Sequence, residues 1–509
     1  MLSEDKNIKI GVILSYCEMA ISIIGTLFVS NKVLFLIGDY NYGLWSFVCS
    51  ITSWLTVVSS ALTSSYLRFV TREAVDCNGD TSKTNGVFLS MLFILGLVIF
   101  VLGSIIVLVL QMNKVSFASY SWKDSQIIYI LFFISIINIS VSMPTCVYSL
   151  VLNYNRKFVF IKLTSVFVSI ANFIVNYLIA RFTGSIIILS INTIASTMAI
   201  FLIEYIFVRK VMKCRLHLAS LRKNKVFVTS IIAFSSILLL NSIVDQINSN
   251  VDKTLLGIMS VPENVTIYQF GQQFCTYLLT MSLAVSGVFS PSFHKLVAEE
   301  KIDEVNNLYL KISGIQTIIL CLVTFGFLSC GKDFVIMWLG KEREEVYNVA
   351  VVLMLIDLCP LTMNSSIEIQ RASDKHKFRA FVYFFVAIVN LVLSIMFLKV
   401  FPSEYAIEAC LLGSVIARIL SHWLLMNIYN SRAIKLPVKE YMLFLSKYIV
   451  VGIISSLVAL LLKKYVLIYI PSIVVRFLIE GGSFTLLFLS STLLLDGKKL
   501  KKIIKERAV

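Results

Sequence analysis

Run after run of about twenty apolar residues fills this chain of 509 residues, and no other feature constrains its fold as much. A run of that length crosses the hydrocarbon core as a helix, because a helix satisfies its own backbone groups within one segment of chain. Fourteen such runs can be marked, at roughly 10–31, 43–66, 87–111, 126–152, 159–180, 184–208, 226–253, 265–290, 309–330, 346–366, 378–399, 405–429, 445–462 and 468–495. The expected fold class is an all-α polytopic membrane protein with about 14 transmembrane helices. Composition agrees, since 58% of the residues are hydrophobic and 15% charged, against about 25% charged in an ordinary soluble domain. A water-soluble globule and a disordered chain are excluded.

The formal charge of +16 would suggest nucleic acid in a soluble chain, but here the bases collect in short junctions between apolar runs. Thirty-two Lys and Arg fall on the tail and the even-numbered junctions, eleven on the opposite side, and Arg418 and Arg476 lie inside spans. That bias predicts both termini in the cytoplasm and no nucleic-acid partner. The start, with two acids before the first span, reads as a retained cytosolic tail rather than a signal peptide. The longest outward junction is expected at 331–345, too short for an extracytoplasmic domain. The ten scattered cysteines contain no C-x-x-C, so neither a disulfide framework nor a zinc site is expected.

Three junctions recur in order at nearly constant spacing. Asn31-Lys32-Val33-Leu34 resembles Asp252-Lys253-Thr254-Leu255; Ser65–Val70 resembles Ser292–Val297; Lys157-Phe158 resembles Lys377-Phe378. Offsets of 220 to 227 residues in equivalent places predict a duplication. Because six spans separate the copies, the two six-helix halves are expected to be related by a pseudo-two-fold along the membrane normal, with a C-terminal helix pair added. The expected organisation is an N-terminal half over 1–208, a basic cytoplasmic linker over 209–225, a C-terminal half over 226–429, and the extra pair and basic tail over 430–509. The seven bases of the linker read as an anchor to anionic lipid head groups.

Short motifs along the whole chain resemble those of the Wzx-type polysaccharide (O-antigen unit) flippases of the multidrug/oligosaccharidyl-lipid/polysaccharide exporter superfamily. They are Tyr42-Gly43-Leu44-Trp45, Arg68-Phe69-Val70-Thr71-Arg72-Glu73-Ala74, Asp252-Lys253 with Tyr268, Pro291-x-Phe293, Met337-Trp338-Leu339-Gly340 and His376-Lys377. The resemblance implies movement of an undecaprenyl-diphosphate-linked oligosaccharide across the bacterial inner membrane, in the company of other polysaccharide-assembly proteins. The chain departs from related flippases in lacking an arginine in span 1.

An ionisable residue within a span is a functional candidate, since it costs about 2.5–3.5 kcal/mol to insert. Asn241, Asp245, Asn248 or Ser249, and Asp252 recur every three or four residues in span 7, a polar face expected to line water or a substrate path. The competing reading is a seam of interhelical hydrogen bonds. Arg418, in mid-span 12, either grips a diphosphate with a forked pair of hydrogen bonds or forms a buried ion pair with Asp357 or Glu18. With Lys253 and Arg68, these residues make up the expected substrate-binding set. Glu18, Asp245 and Asp357 are candidates for carrying a coupling proton or sodium ion, no other cofactor being expected. Glu18 reads more readily as structural.

Pro144 and Pro360 occupy corresponding helices of the two halves and are candidate hinges. Arg476 and Glu480, four apart in span 14, are expected to pair along one face. Glu204 and Lys162 are expected to reach out to water. A row of serines in span 2, Ser46, Ser50, Ser53, Ser60 and Ser64, reads as a close-packing face, with a sugar-contacting wall as the alternative. Gly326, Gly331 and Lys332 imitate a phosphate-binding loop, but Asp333 stands where Ser or Thr is required, so no nucleotide-driven pump is indicated.

The function these observations predict is secondary transport of the lipid-linked oligosaccharide by alternating access. The alternatives are an integral-membrane polysaccharide polymerase or glycosyltransferase, which needs a sizeable outward loop, and a drug or cation exporter of the same superfamily.

Overall fold

The computed structural model describes residues 14, 17–77, 80–114, 121–373, 375 and 377–505. Among these residues there is helix and connection but no strand, and twelve helices are long and apolar enough to cross a membrane. Six of them are α1 (Cys17–Ile37), α2 (Asp39–Asp76), α3 (Ser82–Met112), α4 (Trp122–Tyr154), α5 (Phe158–Thr183) and α6 (Ile186–Val211). Next come α7 (Lys225–Met259) and α8 (Pro262–Ala298). The others are α9 (Ile302–Leu339), α10 (Lys341–Thr362), α11 (Lys377–Val400), α12 (Ser403–Arg432), α13 (Val438–Tyr465) and α14 (Ile473–Lys505). The fold is therefore that of an all-α polytopic membrane protein.

The fourteen expected spans each overlap one of these helices, α7 and α8 being the two beyond the twelve. In α7 the apolar run continues past Lys225–Ser236 through Ile237-Leu238-Leu239-Leu240, and the polar positions begin at Asn241. In α8 the axis bends by 50° between Pro262–Gly287 and Ser292–Ala298, with Pro291 at the break.

By contacts the chain divides into two compact units, Met1–Thr266 and Ile267–Val509. The sequence repeat draws its line at 209–225; the contact boundary falls later because α7 packs along α2. In the first unit α4 lies against α2, α3 and α6, and α5 against α6 and α1. In the second, α9 is the common neighbour of α10, α13 and α14, so the C-terminal pair is built into that unit rather than hung from it.

The serine row of α2 has two roles. Ser50, Ser53, Thr56, Ser59, Ser60 and Ser65 each donate a hydroxyl to the carbonyl three residues back, at 2.6–2.8 Å. Such back-bonding tightens and bends a helix, and Ser53–Thr56 is accordingly a 3-10 turn inside α2. The same side chains face α7: Ser50 shares a hydrogen bond with Thr254 at 3.2 Å, Ser235 donates to Ser65 at 3.0 Å, and Gln246 donates to Ser53.

The motifs that carry the family resemblance have local structural work. Gly43 admits the Pro262 carbonyl, which would lie 1.9 Å from any Cβ there. The Glu73 carboxylate accepts from the amides of Lys83 (3.1 Å) and Thr84 (2.7 Å), holding the start of α3 against the end of α2. Arg209–Lys225 is no loose tether either. Ser90 of α3 donates to the Ala219 carbonyl at 3.0 Å, and Gly86 lets the His217 carbonyl approach.

The junction expected at 331–345 contracts, because α9 stays helical to Leu339 and only residues 340–344 turn. The imitation of a phosphate loop lies within that unbroken helix. Gly340 makes the turn with φ 91° and ψ 161°, and Gly38 joins α1 to α2 with φ 84° and ψ 159°, a region only glycine occupies without strain. Gly38→Ala and Gly340→Ala should each cost about 1–3 kcal/mol, read as a lower melting temperature in detergent. Gly482→Ala, in a helix with open space around it, should leave that temperature unchanged or raise it.

Candidate functional site: charge pairs inside the helical units

Arg418 stands on α12, and its neighbour is a carboxylate. Its Nη1 lies 2.7 Å from Oδ2 of Asp357 on α10, with both side chains mostly buried. The same oxygen accepts from the Cys275 thiol on α8 at 2.6 Å. Of the two readings the sequence leaves open, the buried pair with Asp357 is the one observed. Immediately after Arg418 the helix widens to a π-helix over Ile419–Leu425, a rare distortion that concentrates at functional sites. His422 lies within it, its ring meeting Tyr383 edge-on at 4.8 Å, and Arg379 lies 5.8 Å from that tyrosine ring.

Pro360 explains part of this arrangement. Lacking an N–H, it leaves the carbonyl of Ile356, four residues earlier, without a helical donor. Trp423, from the π-helix, donates its indole N–H to that carbonyl at 3.0 Å. Helix α10 ends two residues after Pro360. In the first unit Pro144 sits inside the continuous α4 and frees the carbonyl of Ser140 in the same way. Gly96 of α3 passes close to that oxygen, which would be 2.5 Å from a Cβ.

The first unit holds a second intramembrane pair. Lys162 of α5 meets Glu18 of α1 at 2.8 Å, so Lys162 does not run out to water as expected, and Glu18 finds its base there rather than at Arg418. A carboxylate and an ammonium on adjacent helices lower each other's insertion cost more than either gains by stretching to the surface. Glu204 also departs from expectation: it is buried on α6 and accepts from the Ser149 hydroxyl of α4. Farther along α6 lie amide contacts that sequence reasoning missed. Asn192 donates to Asn172 (2.7 Å) and Asn176 (2.9 Å), and Thr197 donates to Asn138 (2.8 Å). The signal available was the four-residue spacing of Asn172 and Asn176 in an otherwise apolar span.

The expected Arg476–Glu480 pair gives way to a different one. Lys463 of α13 lies 2.9 Å from Asp333 of α9 and 3.2 Å from Glu480 of α14. Glu480 is fully buried between helices while Arg476 is half-exposed on the rim, so the lysine reaches it and the arginine does not.

The remaining candidates are dispersed. Arg68 is exposed, its guanidinium 4.0 Å above the Phe234 ring. Asp252 is buried, and Lys253 lies within electrostatic reach of it and of Cys49. Ser249 is exposed. The side chains of Asn241, Asp245 and Asn248, and His376 entire, lie outside the described residues. Among the described residues no cluster of three or more His, Cys, Asp or Glu could hold a metal ion.

Solved structures place the architecture. A multidrug resistance MATE family transporter of the MOP superfamily in its inward-facing conformation superposes with a TM-score of 0.61 at 12% identity, over 83% of this chain and 99% of that one. Its outward-facing conformation gives 0.53 at 13%, over 84% and 97%. A MOP superfamily transporter from Pyrococcus furiosus, described as having a binding pocket of reverse polarity that suggests a different function, gives 0.51 at 13%, over 84% and 96%. The chain has the fold of the MATE transporters. No protein-family model matches the sequence, and no curated protein matches it.

Within this MATE fold the Arg418–Asp357 pair joins two helices that each carry a proline or π irregularity. Removing one member strands a charge in a low-dielectric interior, whereas removing both does not. Arg418→Ala should destabilise the protein by about 3–5 kcal/mol, and Asp357→Leu combined with Arg418→Leu should recover most of that loss in a detergent melting assay. Trp423→Phe, which leaves the Ile356 carbonyl without its donor, should cost about 1–3 kcal/mol.

Proposed function

We propose that this protein is a secondary transporter of the bacterial inner membrane, with both termini in the cytoplasm. By alternating access it carries an undecaprenyl-diphosphate-linked oligosaccharide from the inner to the outer leaflet. Transport itself is supported by the fold, since the neighbour described in both inward-facing and outward-facing forms has it. The motifs in Tyr42–Trp45, Arg68–Ala74 and Met337–Gly340 support the lipid-linked passenger.

The observation that carries the passenger's chemistry is Arg418, deep in a span and held by a carboxylate on the next helix. A guanidinium kept in place by Asp357 is already desolvated and oriented. A diphosphate, which brings its own negative charge, can take over these hydrogen bonds provided that Asp357 is neutralised as it is displaced. Asp357, once released, takes a proton or a sodium ion, which links the passenger to an ion gradient. The amides of Asn172, Asn176 and Asn192, and that of Asn138 beside Thr197, at half-exposed positions, offer donors and acceptors in the neutral form that sugar hydroxyls match. The duplicated halves over 1–208 and 226–429 would rock against each other during the cycle, and other polysaccharide-assembly proteins would supply and consume the passenger.

A second reading, export of drugs or organic cations, is favoured by the multidrug resistance description of the neighbours. Deleting the gene separates the two. The flippase reading expects lipid-linked, unpolymerised sugar units to accumulate on the cytoplasmic leaflet; unchanged lipid-linked sugars with raised sensitivity to cationic drugs would establish export instead. Arg418→Lys keeps the charge but loses the fork, so it should insert and fold while lowering flipping at least tenfold. Wild-type flipping by that variant would remove Arg418 from the diphosphate site.

A further inference from the structure

The seam between α1 and α5 in the first unit opens into a groove of about 410 Å³. Its walls are apolar and face outward: Ile24, Phe28 and Ile174 are all more than half exposed, and Phe173 closes the floor against Gly25. Side chains of that kind do not line an aqueous path, so the groove faces lipid chains. A π-helix over Thr26–Ser30 turns α1 along one wall, and the Glu18–Lys162 pair lies on the same seam beyond the groove's inner end.

The other end is cationic. Lys32 lies 5.6 Å from the centre of the Tyr177 ring, and Arg181 points its Nη1 at the Tyr177 hydroxyl at 3.4 Å. Both bases sit within the last turns of their helices, where a span meets the head-group region. Among the described residues neither forms an ion pair, in contrast to Lys162, Arg418 and Lys463. An apolar channel with two uncompensated cations and a tyrosine hydroxyl at its mouth matches one kind of molecule in a bilayer.

We propose that this groove is a binding site for an anionic phospholipid of the surrounding membrane, one acyl chain lying along Ile24, Phe28 and Ile174 and the phosphate held between Lys32 and Arg181. The groove accommodates a single chain, and juxtamembrane bases attract anionic head groups. A lipid seated there spans α1 and α5 at the π-helix, so its presence stiffens the part of α1 whose hydrogen bonding is least regular. The site shares no residue with the Arg418 cluster and does not depend on the passenger proposed above.

The test uses the full-length protein, purified in detergent and examined by native mass spectrometry with phosphatidylglycerol and phosphatidylcholine of identical chains. Wild-type protein should retain phosphatidylglycerol in preference to phosphatidylcholine. Lys32→Gln with Arg181→Gln should reduce that preference about tenfold or more, and Lys32→Gln alone serves if the double variant does not elute as a folded species. Equal retention of the two lipids by wild type, or an unchanged preference in the variants, would overturn the proposal. Displacement of phosphatidylglycerol by an equal concentration of undecaprenyl phosphate would also overturn it, making the groove a seat for the carrier tail instead.

Discussion

A charge inside a bilayer has to be neutralised by its neighbours, and that requirement shapes this molecule more than any other. Glu18 with Lys162, Asp357 with Arg418, Lys463 with Asp333 and Glu480, and Lys447 with Asp496 each join two or three different helices. The pairs therefore specify which helices are adjacent, a task that apolar contact performs weakly among lipid tails as apolar as the side chains themselves. They also make the units intolerant of single-charge loss.

The backbone follows the same logic. Each proline within a span leaves a carbonyl unbonded, and an unbonded carbonyl in hydrocarbon costs several kcal/mol. Trp423 answers Pro360 with a side-chain donor, whereas the α3 backbone is drawn close beside Pro144 through Gly96. In the second case α4 stays continuous; in the first, the helix stops and the partner helix widens to a π form. One residue type thus sits within a continuous helix in one unit and beside an irregular junction, next to the buried arginine, in the other.

Much of the fold was legible in the sequence because hydropathy and helix length are properties of single segments. The spans and their order follow from local chemistry. Partner choice is not local. Nothing in the spacing of Arg476 and Glu480 reveals that Lys463 on another helix lies nearer, and Lys162 and Glu18 are too far apart in sequence to be matched without the packing of α1 on α5. Arg418 was legible as a functional or paired residue, with Asp357 and Glu18 as its two possible partners, because few opposite charges lie deep in spans; the choice between them was not. The asparagine cluster escaped notice since amides attract less attention than charges, and the late unit boundary because α7 binds to α2 through serines that read only as small.

The Glu73 carboxylate has a mechanical consequence. By accepting from the first free amides of the following helix, it ties the adjoining ends of two successive rods together. A tilt of either rod must therefore carry the other with it or break these two bonds.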